Sequence, residues 1–395
     1  MASIQKYKLK DGKERWMYVI ENGTDPLTGK RERIVKRGFL KEKEAIKAAR
    51  DMEYEMEKWN LDLKNKITFQ ELTDEWFKYY KSIGVKKATI RIRIYESNKL
   101  LTYFSNKKVR DITQVMYQRF LNEMNKEYNI NTLSGINGTA KMIFKYAREL
   151  GVIHNDPTEF AKLPKKIKTV EEIENENVQN VYFEKHELKE FLDAALTYGK
   201  KDDYFIFNML AWTGMRLGEL LALKWSDIDL ENRTISITKT LYNPNNNIQS
   251  HELTPPKTNG SVRTIDIEQE LIELLKSHRL LQKQVKLSLG TKYNDFDFVI
   301  TKLKPPNLGY PYYLKLVNVR MQVILKHTAI EKHLTPHSFR HTHTSLLAEV
   351  DVPLELIMER LGHESDKTTT KVYLHVTKDR KKEASEKFGK LMRSL

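Results

Sequence analysis

Between residues 4 and 37 apolar and polar side chains alternate in three short runs, Ile4 to Lys10, Arg15 to Glu21 and Arg31 to Arg37. A period of two is that of β-strands, and turn signals at Asp11-Gly12 and in a Gly- and Pro-containing loop separate the runs. The period then lengthens: Lys41 to Trp59 reads as a helix, followed by a charged connector from Lys58 to Lys66. At Thr68-Phe-Gln-Glu71 a capping box opens a new helix, with Leu72, Trp76, Phe77 and Tyr80 at i, i+4, i+5 and i+8 on one stripe. The spacing predicts three further helices over residues 89–104, 113–128 and 131–150, with Gly151 as the stop. Three lysines and a run of glutamates mark residues 166–180 as an exposed linker, and residues 181–395 then mix helical periods with a β-hairpin near Thr234 to Thr240 and Val262 to Ile267. The fold class is multidomain and mainly α with small β elements. It comprises a three-stranded sheet plus helix (1–60), a four-helix domain (65–165) and a mixed α+β domain (181–395).

Length supports that division, because 395 residues exceed what one ordinary core organises. Sixty-eight Lys and Arg against 53 Asp and Glu give a net charge of +15, which favours a polyanionic partner, nucleic acid first. The positive residues concentrate in two places. On the strands, Lys13, Arg15, Trp16, Tyr18, Arg31, Arg33 and Lys36 suit a sheet face lying in a DNA groove; an ordinary solvated sheet is the plainer reading. In the helical region, Lys86, Lys87, Arg91, Lys141 and Lys145 are candidates for phosphate contacts, or else an ordinary soluble bundle face. Zero cysteines exclude disulfides, Cys-ligated zinc and thiolate nucleophiles. No apolar run reaches bilayer length and no signal peptide is evident, so a cytoplasmic protein without membrane partners is expected. Gly23 to Arg31 imitates a phosphate-binding Walker loop but fails it, with five residues between Gly23 and Gly29 and Arg31 in place of Ser or Thr.

Three separated segments carry the chemistry: Thr213-Gly-Met-Arg216-Leu-Gly-Glu219, His337-Ser-Phe-Arg340-His-Thr-His343, and Leu361-Gly-His363 followed by Tyr373. Singly, each has a bland reading as a turn, a helix start or a packed aromatic. In this order they resemble the signature of the tyrosine recombinase (phage integrase) family, and Pro-Pro-Lys257-Thr-Asn-Gly-Ser-Val-Arg263 resembles the hairpin carrying that family's catalytic lysine. The resemblance is greatest to integrases of Gram-positive conjugative transposons and temperate phages. It implies an arm-type DNA-binding domain, a helical core-DNA-binding domain and a catalytic domain, with Arg216, Lys257, His337, Arg340, His363 and the nucleophile Tyr373 in the catalytic positions. His363 stands where some relatives have Trp. The resemblance also implies a homotetramer on DNA, arm-type and core-type attachment sites, a Holliday-junction intermediate, an excisionase and host DNA-bending protein as partners, and a C-terminal tail docking on a neighbouring subunit.

The chemistry of such a set follows from charge. In-line attack on a phosphodiester builds negative charge on the nonbridging oxygens, which two guanidinium forks neutralise. A phenol of pKa about 10 is ionised in about one molecule per thousand at neutral pH, so Tyr373 needs nearby cations and a base such as His337. Glu219, three residues after Arg216, reads either as a buried carboxylate orienting that arginine or as an ordinary helix-face residue. No cofactor and no metal are expected. Three rivals share parts of the pattern. A type IB topoisomerase uses a similar set without exchanging partners, and a regulator could keep the fold without catalysis. A metal site built on His337, His341, His343 and His363 lacks the His-Glu-x-x-His pattern and has Arg340 beside it.

Overall fold

The computed structural model describes residues 2–8, 14–24, 31–164, 181–256, 259–362 and 367–376, together with residues 389, 392 and 393. The chain divides into two compact units, Met1–Ile167 and Lys168–Leu395.

In the first unit, β1 (Ser3–Lys8), β2 (Glu14–Thr24) and β3 (Arg31–Phe39) form an antiparallel sheet in the order β1-β2-β3. Tyr18 and Ile20 project from β2 onto Ala48, Ala49 and Met52 of α1 (Glu42–Lys66), joined by Ile34 and Phe39. Helix α1 runs through the charged stretch that the sequence reading assigned to a connector. That stretch holds no Gly or Pro, and its Lys and Leu residues favour helix, so charge alone does not end it. Only Ile67 separates α1 from the next cap.

At that cap the expected box forms: the Thr68 hydroxyl accepts from the Glu71 amide at 3.2 Å and the Glu71 carboxylate accepts from the Thr68 amide at 2.8 Å. The Thr68 amide, and the Thr68 hydroxyl that donates to the same carboxylate at 2.8 Å, hold the Glu71 carboxyl below the usual range. The four expected helices follow as α2 (Phe69–Ser82), α3 (Lys87–Phe104), α4 (Gln114–Glu127) and α5 (Ile130–Glu149), and Gly151, at φ +68°, ends the last. Their apolar stripes meet in an aromatic core of Phe69, Phe104, Tyr117, Phe120 and Phe144. Each such ring contributes roughly 2–3 kcal/mol by leaving water.

The second unit begins with α6 (Lys185–Tyr198) and α7 (Asp203–Thr213). Helix α7 is apolar on every side, burying Phe205, Ile206, Phe207, Met209 and Leu210, and so lies inside the core. Then come α8 (Leu217–Ala222) and strands β4 (Ile228–Asp229), β5 (Thr234–Ile237), β6 (Thr240–Tyr242), β7 (Glu252–Thr254) and β8 (Arg263–Asp266). Five helices follow among the described residues: α9 (Gln269–Leu289), α10 (Leu314–Leu325), α11 (Ser338–Glu349), α12 (Leu354–Leu361) and α13 (Lys367–Val376). The expected strands pair, with Ser236 opposite Thr264, but they are not a hairpin. A second ribbon, β6-β7, is inserted between them, its ends joined by an Asn-rich turn segment. Among the described residues no helix is long and apolar enough to cross a membrane.

Candidate active site

Helix α7 stops at Gly214, whose φ of +62° suits a residue without Cβ. A Cβ there would stand 2.7 Å from both the His343 ring and the Leu361 side chain, so this turn is packed directly against the other two motifs. Arg216 follows as the N-cap of α8, its side chain 34% exposed. Glu219, one turn on, is 3% exposed and holds it twice, accepting from the Arg216 amide at 3.0 Å and from Nη1 at 2.8 Å. A second guanidinium, that of Arg263 on β8, reaches the same carboxylate at 3.0 Å. Burial alone would push the Glu219 carboxyl up; the Arg263 charge and the hydrogen bonds from Arg263 and Arg216 outweigh it and hold it below the usual range. Of the two readings of Glu219, the buried partner is the one found.

Arg340 lies on the first turn of α11 and is 1% exposed. Its Nη1 donates to the Gly214 carbonyl at 2.9 Å and its Nη2 to the Leu361 carbonyl. One side chain thereby fastens the backbone two residues before Arg216 to the backbone two residues before His363. His337 caps the same helix on the exposed side, its ring edge-on to that of His341 with centroids 4.8 Å apart. His343 is engaged at both nitrogens: Nδ1 bonds the Ala211 carbonyl at 2.9 Å, and Nε2 accepts from Arg360 Nε at 3.1 Å. Burial and the Arg360 charge lower His343 to about 4, so the ring is neutral at physiological pH. A ring with both nitrogens committed has no lone pair to offer a cation.

Tyr373, on α13, is half-buried and packs on the apolar cluster of Ala348, Ile357 and Leu361, which spans α11 and α12. The turn after α12 is again left-handed, at Gly362 with φ +68°. Lys257, His363, Lys13 and the linker at 166–180 lie outside the described residues. Thus Arg216, Glu219 and Arg340 join one hydrogen-bonded framework, His337 shares a helix with Arg340, and Tyr373 packs on the helices that bound it. Arg263, Ser261 and Arg360 were missed as parts of this framework. Arg263 stood in the run around Lys257, but residue type alone does not reveal a bond to a carbonyl 97 residues away.

The candidates in the first unit separate by burial. Tyr18 is 2% exposed and stacks on Phe39, so it is a core residue and not part of a DNA-facing surface. Alternation places Trp16 on the same side of β2 as Tyr18, and Lys36 lies directly across from Tyr18 in register. Arg15 and Arg33 belong to the opposite face, and Arg31 opens β3 opposite Thr24. Lys86, Lys87, Arg91, Lys141 and Lys145 are all exposed on the four-helix domain.

Comparison with known proteins agrees with this architecture. Residues 182–380 match the model of the phage integrase family, residues 3–56 that of an arm DNA-binding domain, and residues 68–125 that of the phage integrase N-terminal SAM-like domain. An integrase of a Staphylococcus phage is 34% identical over 343 residues, covering 82% of this chain and 94% of its own. The fold is similar to that of the Tn1549 transposon integrase solved with a circular intermediate DNA, at a TM-score of 0.63 and 20% identity over 81% of this chain and 99% of the other. It is also similar to a lambda integrase tetramer solved on a Holliday junction, at 0.57 and 19% over 93% and 94%. With half the chain matched by one family model and a relative this close over most of its length, the protein belongs to the phage integrase family and is a tyrosine recombinase, an enzyme of site-specific recombination in mobile elements.

Proposed function

We propose that this recombinase integrates and excises a mobile element by transesterification through Tyr373. The Tyr373 oxygen attacks the scissile phosphorus, the bond to the 5′-oxygen breaks, and a 3′-phosphotyrosine forms. The phenolic proton passes to His337, and Lys257 protonates the departing 5′-oxygen. Arg216 from one side and Arg340 from the floor of the site stabilise the charge that develops on the nonbridging oxygens, and His363 adds a hydrogen bond to one of them. Religation reverses these steps with a 5′-hydroxyl from the exchanged strand, so the phosphoester is conserved and no ATP is consumed. What supports this reading most is Arg340, whose two carbonyl bonds gather segments 126 and 21 residues away around one point.

Double-stranded DNA is the partner, in two classes of site. The arm domain takes one, with Arg15 and Arg33 on the sheet face opposite α1 as its leading contacts. The helical and catalytic domains take the core site, with Lys86, Lys87, Arg91, Lys141 and Lys145 on phosphates. A homotetramer would assemble on that DNA, as in the lambda integrase complex. A groove of about 780 Å³ with Trp212, Val262, Leu347, Val352 and Leu356 in its walls suits the tail of a neighbouring copy. An excisionase and a host DNA-bending protein would set direction, and the bacterial cytoplasm is where such DNA lies.

The test is to incubate the native protein and its Tyr373→Phe variant with nicked attachment-site DNA, without metal or ATP, and resolve the products on a denaturing gel. An adduct formed by the native protein alone is expected. Its absence despite measured binding to the same DNA points to a noncatalytic regulator.

A further inference from the structure

Arg263 has no part in the steps above, yet its side chain is 6% exposed and all three of its nitrogens are hydrogen-bonded. Nη2 donates to Glu219 Oε2 at 3.0 Å, Nε to the Arg360 carbonyl at 2.7 Å, and Nη1 to the Ser261 carbonyl at 3.0 Å. Arg360, whose carbonyl it takes, is itself held by His343 and by the Asp266 carbonyl at 3.1 Å each. The neighbourhood is tight: a Cβ on Gly362 would lie 2.8 Å from the Gly260 carbonyl and 3.1 Å from Arg263 Cδ. Removing a guanidinium from water is costly, and an apolar side chain of similar volume often serves stability as well. The particular bonds are therefore what need explaining.

The division of Glu219 between two arginines supplies the explanation. A carboxylate with one arginine in reach tends to pair fork to fork, through both oxygens. Here Oε2 is taken by Arg263 and by the Arg216 amide, so Glu219 grips the Arg216 side chain at Oε1 alone, through Nη1 at 2.8 Å, the same nitrogen that reaches the Ser261 hydroxyl at 3.4 Å. We propose that Arg263 is a positioning residue: by occupying Oε2 it limits Glu219 to a one-point hold on Arg216 and so turns the rest of that guanidinium towards the scissile phosphate. Its bond to the Arg360 carbonyl sets that direction relative to the Leu361-Gly362 turn. This rests on the assignment of Arg216 to the phosphate.

The experiment compares single-turnover cleavage of a nicked attachment-site duplex, and affinity for the same duplex, among the full-length protein, Arg263→Lys, Arg263→Gln, Arg216→Ala and Arg263→Lys combined with Arg216→Ala. Arg263→Lys keeps the buried charge but loses the planar fork. Cleavage is expected to slow by about 10-fold in Arg263→Lys and about 100-fold in Arg263→Gln, with affinity within about twofold, as for a reacting group misplaced by an ångström. In the Arg216→Ala background, followed over long incubations, Arg263→Lys is expected to cost nothing further. Multiplying losses in the double variant would overturn the proposal, as would native cleavage rates in both Arg263 variants or affinity falling in step with cleavage. Full cleavage by Arg216→Ala would instead overturn the phosphate assignment, and the proposal with it.

Discussion

Two glutamates, Glu96 on α3 of the four-helix domain and Glu219 on α8 of the catalytic unit, are built on one local pattern. Each is buried, and each takes the guanidinium of the arginine three residues earlier at 2.8 Å. They differ in what else they hold. Glu96 accepts from the Thr139 hydroxyl, a neutral group on α5, and the same hydroxyl accepts from Arg93 at 3.0 Å. Glu219 holds a second full charge, Arg263, and a backbone amide. A carboxylate shared with a hydroxyl staples two helices, whereas one shared between two guanidinium groups fixes the direction of both. An identical sequence spacing therefore ties two helices together in one domain and, on the role proposed for Arg216, orients a charge in the other, and the third partner decides which.

The sharpest way to break this comparison is to remove each carboxylate. Glu219→Ala is expected to slow strand cleavage by about 100- to 1000-fold, the range for losing a preorganised charge contact, while DNA affinity changes only a few-fold. Glu96→Ala should do the reverse, lowering the melting temperature of the four-helix domain while cleavage at saturating DNA stays near native. Equal cleavage losses in the two variants would dissolve the distinction.

Acid provides the second contrast. His343 sits at about 4 in the folded protein against 6.5 as its ordinary value, so folding resists its protonation. Its contribution is complete above pH 6.5 and is lost as pH falls towards 4, roughly 3 kcal/mol at 1.36 kcal/mol per unit. Glu219, also depressed, adds loss of the same sign as pH falls through its folded value. Hydrogen exchange followed from pH 7 to 4 should therefore show α11 and α12 losing protection before α2 and α5. Simultaneous loss would mean that the burial of His343 does not govern the acid limit.

The smallest effect concerns Gly135, where a Cβ would collide with Glu96 Oε1. Gly135→Ala gains about 1 kcal/mol in helix propensity and loses about 1–3 kcal/mol by displacing the carboxylate. A net destabilisation of about 1 kcal/mol is expected by thermal denaturation, and it should vanish when Glu96→Ala is already present.

How far the sequence could be read depended on whether a feature advertised itself through residue type. The cap at Thr68, the stripes of α2 to α5 and the stop at Gly151 rest on local rules, and all were legible. The end of α1 was misplaced because charge was taken for a break where no breaker stands. The β6-β7 ribbon was missed because strands of three residues carry too little alternation to register. In the site, the sequence named side chains by their resemblance to family positions and gave no sign of the framework around them. Arg263 bonds the carbonyl of Arg360 and Arg340 those of Gly214 and Leu361, and a carbonyl is the same on every residue. Tyr18 was misassigned for the opposite reason: an aromatic among basic residues suits a DNA surface and a small core equally, and only its 2% exposure separates the two.

The bond from Arg340 to Leu361 also has a consequence in time. During synthesis a chain emerges amino terminus first, and domains fold as they become complete. Among the described residues, the apolar clusters of the sheet, its helix and the four-helix domain draw on nothing beyond Leu163, so they can be finished while the catalytic unit is still incomplete. Closing the site requires contacts spanning 126 residues and must wait for Leu361 to leave the ribosome. A nascent or interrupted chain thus completes the regions that match an arm DNA-binding domain and a SAM-like domain well before the bonds of Arg340 can close.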